Sequence, residues 1–393
     1  MTKKIKNFLF LVLLAVPLFS PARAASPAPR PLLGATVYAG AWGFTDAPAK
    51  LAAMKAEGFA LVSFVPSYPY VDLNRIDFTH APAWPDLERA VNAALDVGLT
   101  VVIKPHLDPP SPSDAPESHT WRKGAPWRGY FDVDPMCKDY REGVIGRSLK
   151  LLSRALAARP SAAPVRLELG AELMNSVAYG ATRWEELLAW AKTERRRLGL
   201  NGRVLLSHNF EHHFEIPGDV VLRMSPEGRR ALARYIKGLD AIALSQYMDL
   251  TAAMPAAERD SRLPTAQEVA QALTRHERRF REDILVKALG LRPSEIAPLH
   301  IGEFGVGVGG LKFPNEWSGA LTPAQELALA LEIARGHEGL TRYLALSEGR
   351  TVRSAVLWTV GRHYDVFGWS QPEAAIPAAA AADRAYLAGK DRP

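Results

Sequence analysis

The sequence predicts an α/β fold of the (β/α)8 class, the TIM barrel. From Gly34 onward, short strand-like runs alternate with longer segments of helical periodicity, and eight such units can be counted. They occupy about 330 residues, which is the usual scale of a single barrel domain. The competing fold, a doubly wound open sheet, usually has fewer strands. The first strand–helix turn also lacks the glycine-rich phosphate loop that such sheets often carry.

Each predicted strand is a short run rich in aliphatic and β-branched residues. The predicted strands are residues 35–40, 60–65, 100–106, 165–170, 204–209, 241–247, 299–303 and 354–358. The segments between them carry apolar residues at the three- and four-residue spacing of a helix. The predicted helices include residues 49–57, 84–97, 140–158, 184–198, 266–289 and 323–346.

The composition is that of a folded globular protein. Of the 393 residues, 48% are hydrophobic and 23% are charged, which excludes an intrinsically disordered chain. No apolar run approaches the roughly 20 residues needed to cross a bilayer, so a multi-span membrane protein is also excluded.

The net charge of +6 comes mostly from the first residues of the chain. Lys3, Lys4, Lys6 and Arg23 precede residue 25, where no acidic residue occurs, so the remainder carries a net charge of +2. Proteins that bind nucleic acids usually have a clustered basic face. We therefore expect no nucleic-acid partner.

The first 24 residues are typical of a secretory signal peptide. Three lysines precede an apolar stretch at residues 8–19, and residues 22–24, Ala-Arg-Ala, match the small-x-small pattern of a cleavage site. The predicted organisation is a signal peptide over 1–24, a linker over 25–33 and a single barrel domain over 34–393. We expect a secreted or periplasmic monomer without stable membrane insertion. An uncleaved anchor is the alternative, although the apolar stretch is short for one.

In a barrel of this class, functional residues lie at the carboxyl ends of the strands and in the loops that follow them. Polar and aromatic residues occupy these positions along most of the predicted strands. They are Trp42, His106, Asp108, Glu172, Asn175, Asn209, Tyr247, Glu303 and Trp358. Surface residues scattered at random would not select the same end of each strand.

Glu172 and Glu303 are the candidate catalytic residues. Strict alternation places Glu172 on the inward face of the fourth strand, together with Glu168. It places Glu303 on the face that carries Leu299 and Ile301 in the seventh strand, and we expect that face to point inward at the mouth. Because the fourth and seventh strands face each other across a closed barrel, two carboxyls there can act on one bond.

This arrangement suits the hydrolysis of a glycosidic bond. A retaining glycosidase uses one carboxylate as the nucleophile and a second, protonated carboxyl as the acid, about 5–5.5 Å apart. The environments of the two groups must separate their pKa values. The alternative is that each glutamate is an ordinary strand-end residue, solvated or paired with Arg166 or Arg362.

Three segments resemble strands of known glycosidases. Residues 301–305, Ile-Gly-Glu-Phe-Gly, resemble the nucleophile strand of clan A retaining glycosidases, and residues 170–173, Gly-Ala-Glu-Leu, resemble their acid/base strand. Residues 101–108, Val-Val-Ile-Lys-Pro-His-Leu-Asp, resemble the third strand of glycoside hydrolase family 113, a β-mannanase family of that clan. The resemblance spans about residues 34–370.

The resemblance implies a role for each matched residue. Glu172 would be the general acid/base and Glu303 the nucleophile, with Tyr247 hydrogen-bonded to the nucleophile. His106 and Asn209 would contact the sugar at the point of cleavage.

One position departs from the pattern. Most clan A families have an asparagine immediately before the acid/base, where it binds the sugar 2-hydroxyl, and this chain has Ala171. Asn175 and Asn209 are the two candidates to supply that contact.

Several tryptophans fall in or beside the predicted upper loops. Indole rings stack on the apolar faces of sugars, so Trp42, Trp121 and Trp358 are predicted to contact the substrate, with core packing as the alternative role. The loop over residues 107–139 is long and rich in proline, serine and aspartate, and we expect it to form a wall of the cleft.

A histidine- and glutamate-rich group follows the fifth predicted strand. Its members are His208, Glu211, His212, His213 and Glu215. Their spacing does not match the helical zinc motif of two histidines and a glutamate. The favoured interpretation is hydrogen bonding to sugar by His208 or Asn209. We expect no metal and no organic cofactor.

The sequence supports three hypotheses of function. The leading one is an exported retaining β-glycosidase of the endo-β-1,4-mannanase type, acting on a β-linked, mannan-like polysaccharide. The second keeps this mechanism and changes the substrate to a bacterial exopolysaccharide or the glycan of peptidoglycan. The third is a non-catalytic glycan-binding barrel, and the presence of both carboxylates and Tyr247 argues against it.

Overall fold

The computed structural model describes most of the chain after the predicted leader. The described residues are 30–39, 44, 47–72, 75–108, 133–211, 221, 224–248, 250–258, 262–306, 322–346, 352–359, 366–369 and 375–389. The predicted signal peptide lies outside them. β1 begins at Leu32, so its first residues fall within the linker predicted over 25–33.

Ten strands form the sheet. They are β1 (Leu32–Ala39), β2 (Leu61–Asp72), β3 (Arg75–Ile76), β4 (Thr100–Ile103), β5 (His106–Asp108), β6 (Val165–Ala171), β7 (Val204–Glu211), β8 (Ala241–Met248), β9 (Leu299–Val306) and β10 (Val352–Leu357). Eight of them pair in parallel in the order β1, β2, β4, β6, β7, β8, β9, β10, and β10 pairs with β1 to close the ring. This confirms the predicted (β/α)8 barrel, and each predicted strand overlaps one of these eight.

Nine α-helices lie within the described residues. They are α1 (Ala47–Ala56), α2 (Trp84–Asp96), α3 (Arg147–Ala157), α4 (Met174–Tyr179), α5 (Ala181–Arg197), α6 (Pro226–Gly238), α7 (Ala266–Arg278), α8 (Pro323–Leu346) and α9 (Pro377–Leu387). A π-helical segment, Asp139–Gly146, precedes α3, and another, Arg279–Ala288, follows α7. The helices predicted over 140–158 and 266–289 are therefore each part π-helix and part α-helix. Short 3-10 turns occupy Leu250–Ala253, Ala256–Glu258 and Pro293–Glu295.

Local signals fix the starts of two helices. At α6 the Ser225 hydroxyl accepts a hydrogen bond from the Gly228 amide, and Pro226 begins the helix. At α7 Thr265 and Glu268 form a reciprocal capping box. α4, α6 and α9 are additional to the predicted helices.

The apolar core is divided between the outside and the inside of the barrel. The outward side chains of the strands pack against the helices in one large cluster, which includes Val101, Ile103 and Leu167. The second apolar cluster has only three members, Leu61, Val102 and Val356. These alternate along their strands with members of the outer cluster, so they lie inside the barrel.

Many of the other side chains in the barrel interior are polar. Buried side chains there include Thr36, Ser63, Lys104, Arg166, Glu168, Ser207, Asn209, Ser245, Glu303 and Ser354. A barrel core usually consists of stacked layers of branched apolar residues. Here the polar groups lead up to the carboxyl ends of the strands, where the predicted site lies.

β2 is longer than its barrel neighbours and rises beyond the barrel. Its upper half pairs with β3 in an antiparallel hairpin through Tyr70 and Ile76, and with β5 in parallel through Ser67 and His106. This three-stranded rim wall (β3, β2 and β5) sets the positions of the predicted site residues that β5 carries. Among the described residues, no helix is both long enough and apolar enough to span a bilayer.

Trp184 of α5 is the centre of the packing between this helix and the barrel. Its side chain is fully buried, and its indole nitrogen donates a hydrogen bond of 3.0 Å to the Ser176 hydroxyl. Its ring lies edge-on to Tyr140 and His208, with centroid separations of 5.9 and 5.1 Å. It therefore joins α5 to the segment before α3 and to β7.

We expect Trp184→Ala to lower the free energy of unfolding by about 3–5 kcal/mol, because it leaves a large cavity in a closely packed region. Urea denaturation followed by circular dichroism measures the loss. The control is Trp190→Ala, because Trp190 lies on the same helix and is only partly buried. Equal losses in the two variants would contradict this account of the packing.

Candidate active site

Glu303 reaches the barrel interior because β9 contains a β-bulge. Leu244 of β8 pairs with Ile301, but the next residue, Ser245, pairs with Glu303, so β9 has one additional residue. Leu299 and Ile301 line a space with Tyr343 of α8, on the helix side of the sheet. The expectation that Glu303 shares their face is therefore wrong. The bulge reverses the alternation, and without it the carboxyl would point toward the helices.

Gly302 is required at the bulge because of a close approach from β7. A β-carbon at this position would lie 2.2 Å from Oδ1 of Asn209. The Gly302 carbonyl also accepts a hydrogen bond of 2.5 Å from the Lys104 ammonium. Gly302, beside the candidate nucleophile, therefore lies against Asn209 of β7 and accepts a hydrogen bond from Lys104, which follows β4. A larger residue at this position would displace these contacts.

The Glu303 carboxyl is buried and contacts three polar groups. Its Oε1 accepts a hydrogen bond of 2.9 Å from Nζ of Lys104, and Nε2 of His106 lies 3.0 Å from the same oxygen. The Tyr247 hydroxyl donates a hydrogen bond of 2.6 Å to Oε2, which is the contact that the resemblance implies. With only 1% of the residue exposed, these groups take the place of water around the carboxylate. A neighbouring cation and hydrogen-bond donors both favour the ionised form, which a nucleophile needs.

His106 connects Glu303 to the aromatic rim. Its ring lies parallel to the indole of Trp358, at a centroid separation of 5.8 Å and an interplanar angle of 7°. Trp358 in turn lies edge-on to Tyr38, 6.1 Å away. Three side chains from β1, β5 and the end of β10 therefore form a continuous aromatic surface beside the nucleophile.

Asp108 stands at the same rim, at the end of β5. Its carboxyl accepts hydrogen bonds from the Tyr38 hydroxyl, at 3.1 Å, and from the Ser67 hydroxyl. The side chain is half-buried, so it faces the mouth more openly than Glu303 does. Its predicted contact with substrate remains a prediction, and its position at the rim is compatible with one.

Glu172 follows directly after β6 and has an unusual backbone. Its φ is 58°, and no other non-glycine residue in the described part of the chain has a positive φ. The strand before it is also irregular, since Glu168 pairs with Ser207 and Ala171 with Asn209. Simple alternation therefore does not determine the direction of Glu172, contrary to the expectation from the sequence. Strained backbone at a strand end often marks a functional residue, because the surrounding structure must stabilise it.

Asn209 links the two glutamate-bearing strands. Its backbone carbonyl accepts a hydrogen bond of 2.8 Å from the Glu172 amide. Its side-chain amide donates one of 2.8 Å to the hydroxyl of Ser245, the residue that pairs with Glu303. The side chain is fully buried, and its Oδ1 lacks a hydrogen-bond partner. The sugar contact assigned to Asn209 by resemblance stays a prediction.

A second set of charges lies deeper in the barrel. Nη2 of Arg166 is 3.3 Å from Oε1 of Glu168, and both residues are buried. Burial raises the pKa of Glu168, and the charges of Lys104 and Arg166 oppose that rise. Burial likewise lowers the pKa of the Arg166 guanidinium, against the effect of Glu168. Arg166 therefore pairs with Glu168, rather than with either catalytic candidate.

His208 does not face the barrel interior. Its Nδ1 lies 2.8 Å from the Tyr235 hydroxyl of α6, and burial lowers its pKa to about 3. This histidine is thus a neutral packing residue between β7 and the helices. Of the two candidates for the hydrogen bond to sugar, His208 is therefore excluded. His212, His213 and Glu215 lie outside the described residues, within which no group of His, Cys, Asp and Glu is arranged to hold a metal ion.

The structure brings together His106, Asp108, Tyr247, Glu303 and Trp358, as predicted, and adds Lys104, Tyr38 and Ser67. Lys104 could have been chosen from the sequence, since it precedes His106 by two residues. Tyr38 occupies the end of the first strand, where the prediction selected Trp42. Trp42, Trp121 and most of the 107–139 loop lie outside the described residues, as does the side chain of Asn175 in α4.

Comparison with solved structures gives the same architecture. A GH113 β-1,4-mannanase superposes with a TM-score of 0.55 at 15% identity, covering 92% of this chain and 99% of that one. A GH5_18 protein from Bifidobacterium longum subsp. infantis superposes with a TM-score of 0.50 at 16% identity, covering 93% of this chain and 80% of that one. No protein-family model and no curated protein sequence matches the chain. At these identities the likeness shows the barrel fold.

The positive φ of Glu172 generates a test of backbone strain. We expect Glu172→Gly to have a free energy of unfolding about 1 kcal/mol higher than Glu172→Ala, because only glycine adopts this conformation without a β-carbon penalty. Thermal and urea unfolding of the two variants measure the difference, and both variants lack the carboxyl. An alanine variant as stable as the glycine variant would show that the backbone at residue 172 is relaxed.

Proposed function

We propose that this protein is a retaining β-glycosidase that hydrolyses a β-linked polysaccharide of the mannan type. The observation that carries the proposal is the Glu303 carboxylate, held in the carboxyl-terminal half of β9 by Lys104, His106 and Tyr247. A second glutamate, Glu172, stands at the end of the fourth barrel strand in a strained backbone conformation. The sugar assignment is supported by the structural likeness to a GH113 β-1,4-mannanase and by the resemblance of residues 101–108.

The chemistry follows from the environments of the two glutamates. Glu303 attacks the anomeric carbon as the glycosidic bond breaks, and Glu172 gives its proton to the leaving oxygen. A glycosyl ester on Glu303 results. Glu172 then takes a proton from a water molecule, whose oxygen attacks the anomeric carbon and releases Glu303 as a carboxylate. Each cycle consumes one water molecule and restores both protonation states, and the two steps require no metal or organic cofactor.

The other contacts would act on different parts of the reaction. Lys104 and Tyr247 stabilise the ionised nucleophile before attack and its return to a carboxylate afterwards. The half-buried indole of Trp358, backed by the parallel ring of the buried His106, offers an aromatic face against which a pyranose can stack. We further propose that the chain is secreted or periplasmic, because its first 24 residues match a cleavable signal peptide.

Removal of the nucleophile tests the mechanism directly. We expect Glu303→Ala to lower kcat on an activated aryl β-glycoside by a factor of roughly 10⁴ or more, because no other group can form the glycosyl ester. Added azide should restore part of the rate and give the α-glycosyl azide, which NMR identifies. A matched control is Glu282→Ala, an exposed glutamate of the π-helical segment after α7, which should keep full activity. Full activity of Glu303→Ala would refute the assignment.

A panel of polymers tests the substrate. We expect the protein to release reducing ends from β-mannan and glucomannan, and to release few or none from cellulose. Release from bacterial cell-wall sacculi or an exopolysaccharide alone would keep the mechanism and replace the substrate class. Binding to any of these glycans without release of reducing ends would instead support a non-catalytic glycan-binding barrel.

A further inference from the structure

A buried ion pair lies beneath the candidate nucleophile and takes no part in the proposed chemistry. Arg166 and Glu168 of β6 are 4% and 0% exposed, and their charged groups approach to 3.3 Å. Neither oxygen of Glu168 has a hydrogen-bond partner of good geometry. An ion pair held this way contributes little to stability, since the cost of desolvation offsets the attraction. The position of the pair beneath Glu303 therefore points to a role other than stability.

Lys104 connects this pair to the nucleophile. β4 and β6 pair through Val102 with Arg166 and Ile103 with Leu167, so the next residue, Lys104, stands at the level of Glu168. Its ammonium bonds to Oε1 of Glu303 at 2.9 Å. The charge of Lys104 also acts on Glu168, and Glu168 and Glu303 repel each other. The Lys104 ammonium therefore interacts with two carboxylates, those of Glu303 and Glu168.

The four buried charges balance. Lys104 and Arg166 supply two positive charges, and Glu168 and Glu303 supply two negative ones. The remaining titratable groups near Glu303 are uncharged or lie toward the mouth. His300, on β9, is bound to the Ser354 hydroxyl, and burial lowers its pKa well below the usual value, so it stays neutral.

Above the nucleophile, the groups that face it are His106 from β5 and Tyr247 from β8. Glu172, from the end of β6, stands at the mouth. None of these residues contributes to the charge beneath the nucleophile. That charge is therefore set by Lys104, Arg166 and Glu168 together.

We propose that Glu168 and Arg166 are positioning residues that act through Lys104 to set the pH range in which Glu303 is an ionised nucleophile. Glu168 restrains the attraction of Lys104 for Glu303, and Arg166 adds a second positive charge to the same group. The inference rests on the proposed function for its catalytic meaning, although the electrostatic coupling itself does not depend on the substrate.

The two residues make opposite predictions. Glu168→Gln removes a negative charge, so Glu303 stays ionised to lower pH. The acid limb of the pH profile of kcat/KM should therefore shift to lower pH by roughly one unit. Arg166→Gln removes a positive charge, so the acid limb should move up by a similar amount. The double variant restores the balance and should return the limb close to its wild-type position. A structural defect would not produce shifts of opposite sign that cancel.

A measurement without substrate separates this inference from the proposed function. With ¹³C-labelled glutamate side chains, NMR follows the ionisation of Glu303 in the free protein, with Glu303→Gln to assign its signal. The same shifts should appear there even if no glycan is cleaved. The wild-type spectrum should also show Glu168 ionised at neutral pH.

The control is a buried pair of hydrogen-bonded titratable residues elsewhere in the fold. Asp383 of α9 and His337 of α8 approach to 2.7 Å, away from the barrel interior. Asp383→Asn should lower the thermal midpoint without moving the Glu303 titration. The proposal is overturned if Glu168 is protonated in the wild type at neutral pH, or if the Glu168 and Arg166 variants move the titration in the same direction or leave it unchanged. If one of the variants does not fold, the titration of Glu168 in the wild-type protein still tests the proposal.

Discussion

The burial of a carboxylate at the end of β9 constrains the rest of this barrel. An ionised glutamate that is 1% exposed has lost almost all of its water, at a cost of several kcal/mol that only fixed donors and cations can offset. Here Lys104, His106 and Tyr247, from separate parts of the chain, supply the cation and the donors. The barrel interior is consequently polar, with an apolar cluster of three residues. Most of the apolar packing must then come from the contact between strands and helices.

Two irregularities in the sheet lie at the two candidate glutamates. A regular β9 would direct Glu303 to the helix side with Leu299 and Ile301, and the bulge at Gly302 reverses this. β6 also carries a register shift, and the backbone leaves the extended region at Glu172. Bulges are common beside active sites because they redirect one side chain without changing the rest of the strand. Both candidate catalytic residues here depend on such a departure.

The sequence predicted the architecture well, because the barrel strands are short apolar runs and α8 is a long stretch rich in alanine, leucine and glutamate. Residues 323–346 match that helix at both ends. The π-helical turns could not be predicted, since an inserted residue leaves the local composition unchanged. The sequence also placed Tyr247 and His106 correctly, because residues at the carboxyl ends of barrel strands converge on the mouth.

The directions of side chains were harder to predict. Alternation gave the wrong face for Glu303, since one bulge inverts every assignment beyond it. His208 and Asn209 were the two candidates for a hydrogen bond to sugar, and the structure places His208 against Tyr235 outside the barrel, because it alternates with the inward Asn209. The sequence does not mark Lys104 as a partner of Glu303, and only the fold shows that its ammonium touches the nucleophile. These errors share one cause, which is that contacts between strands depend on register.

The rim wall of β2, β3 and β5 has a consequence for how this protein can diversify. Loops around a barrel mouth can gain or lose residues freely, whereas a hydrogen-bonded strand cannot change length by one residue without exchanging its two faces. On this side of the mouth, Ser67 and His106 are paired in register, so an insertion would carry His106 away from Glu303. New ligand preferences in descendants of this chain should therefore arise by substitution along the rim wall and by changes of length elsewhere around the opening.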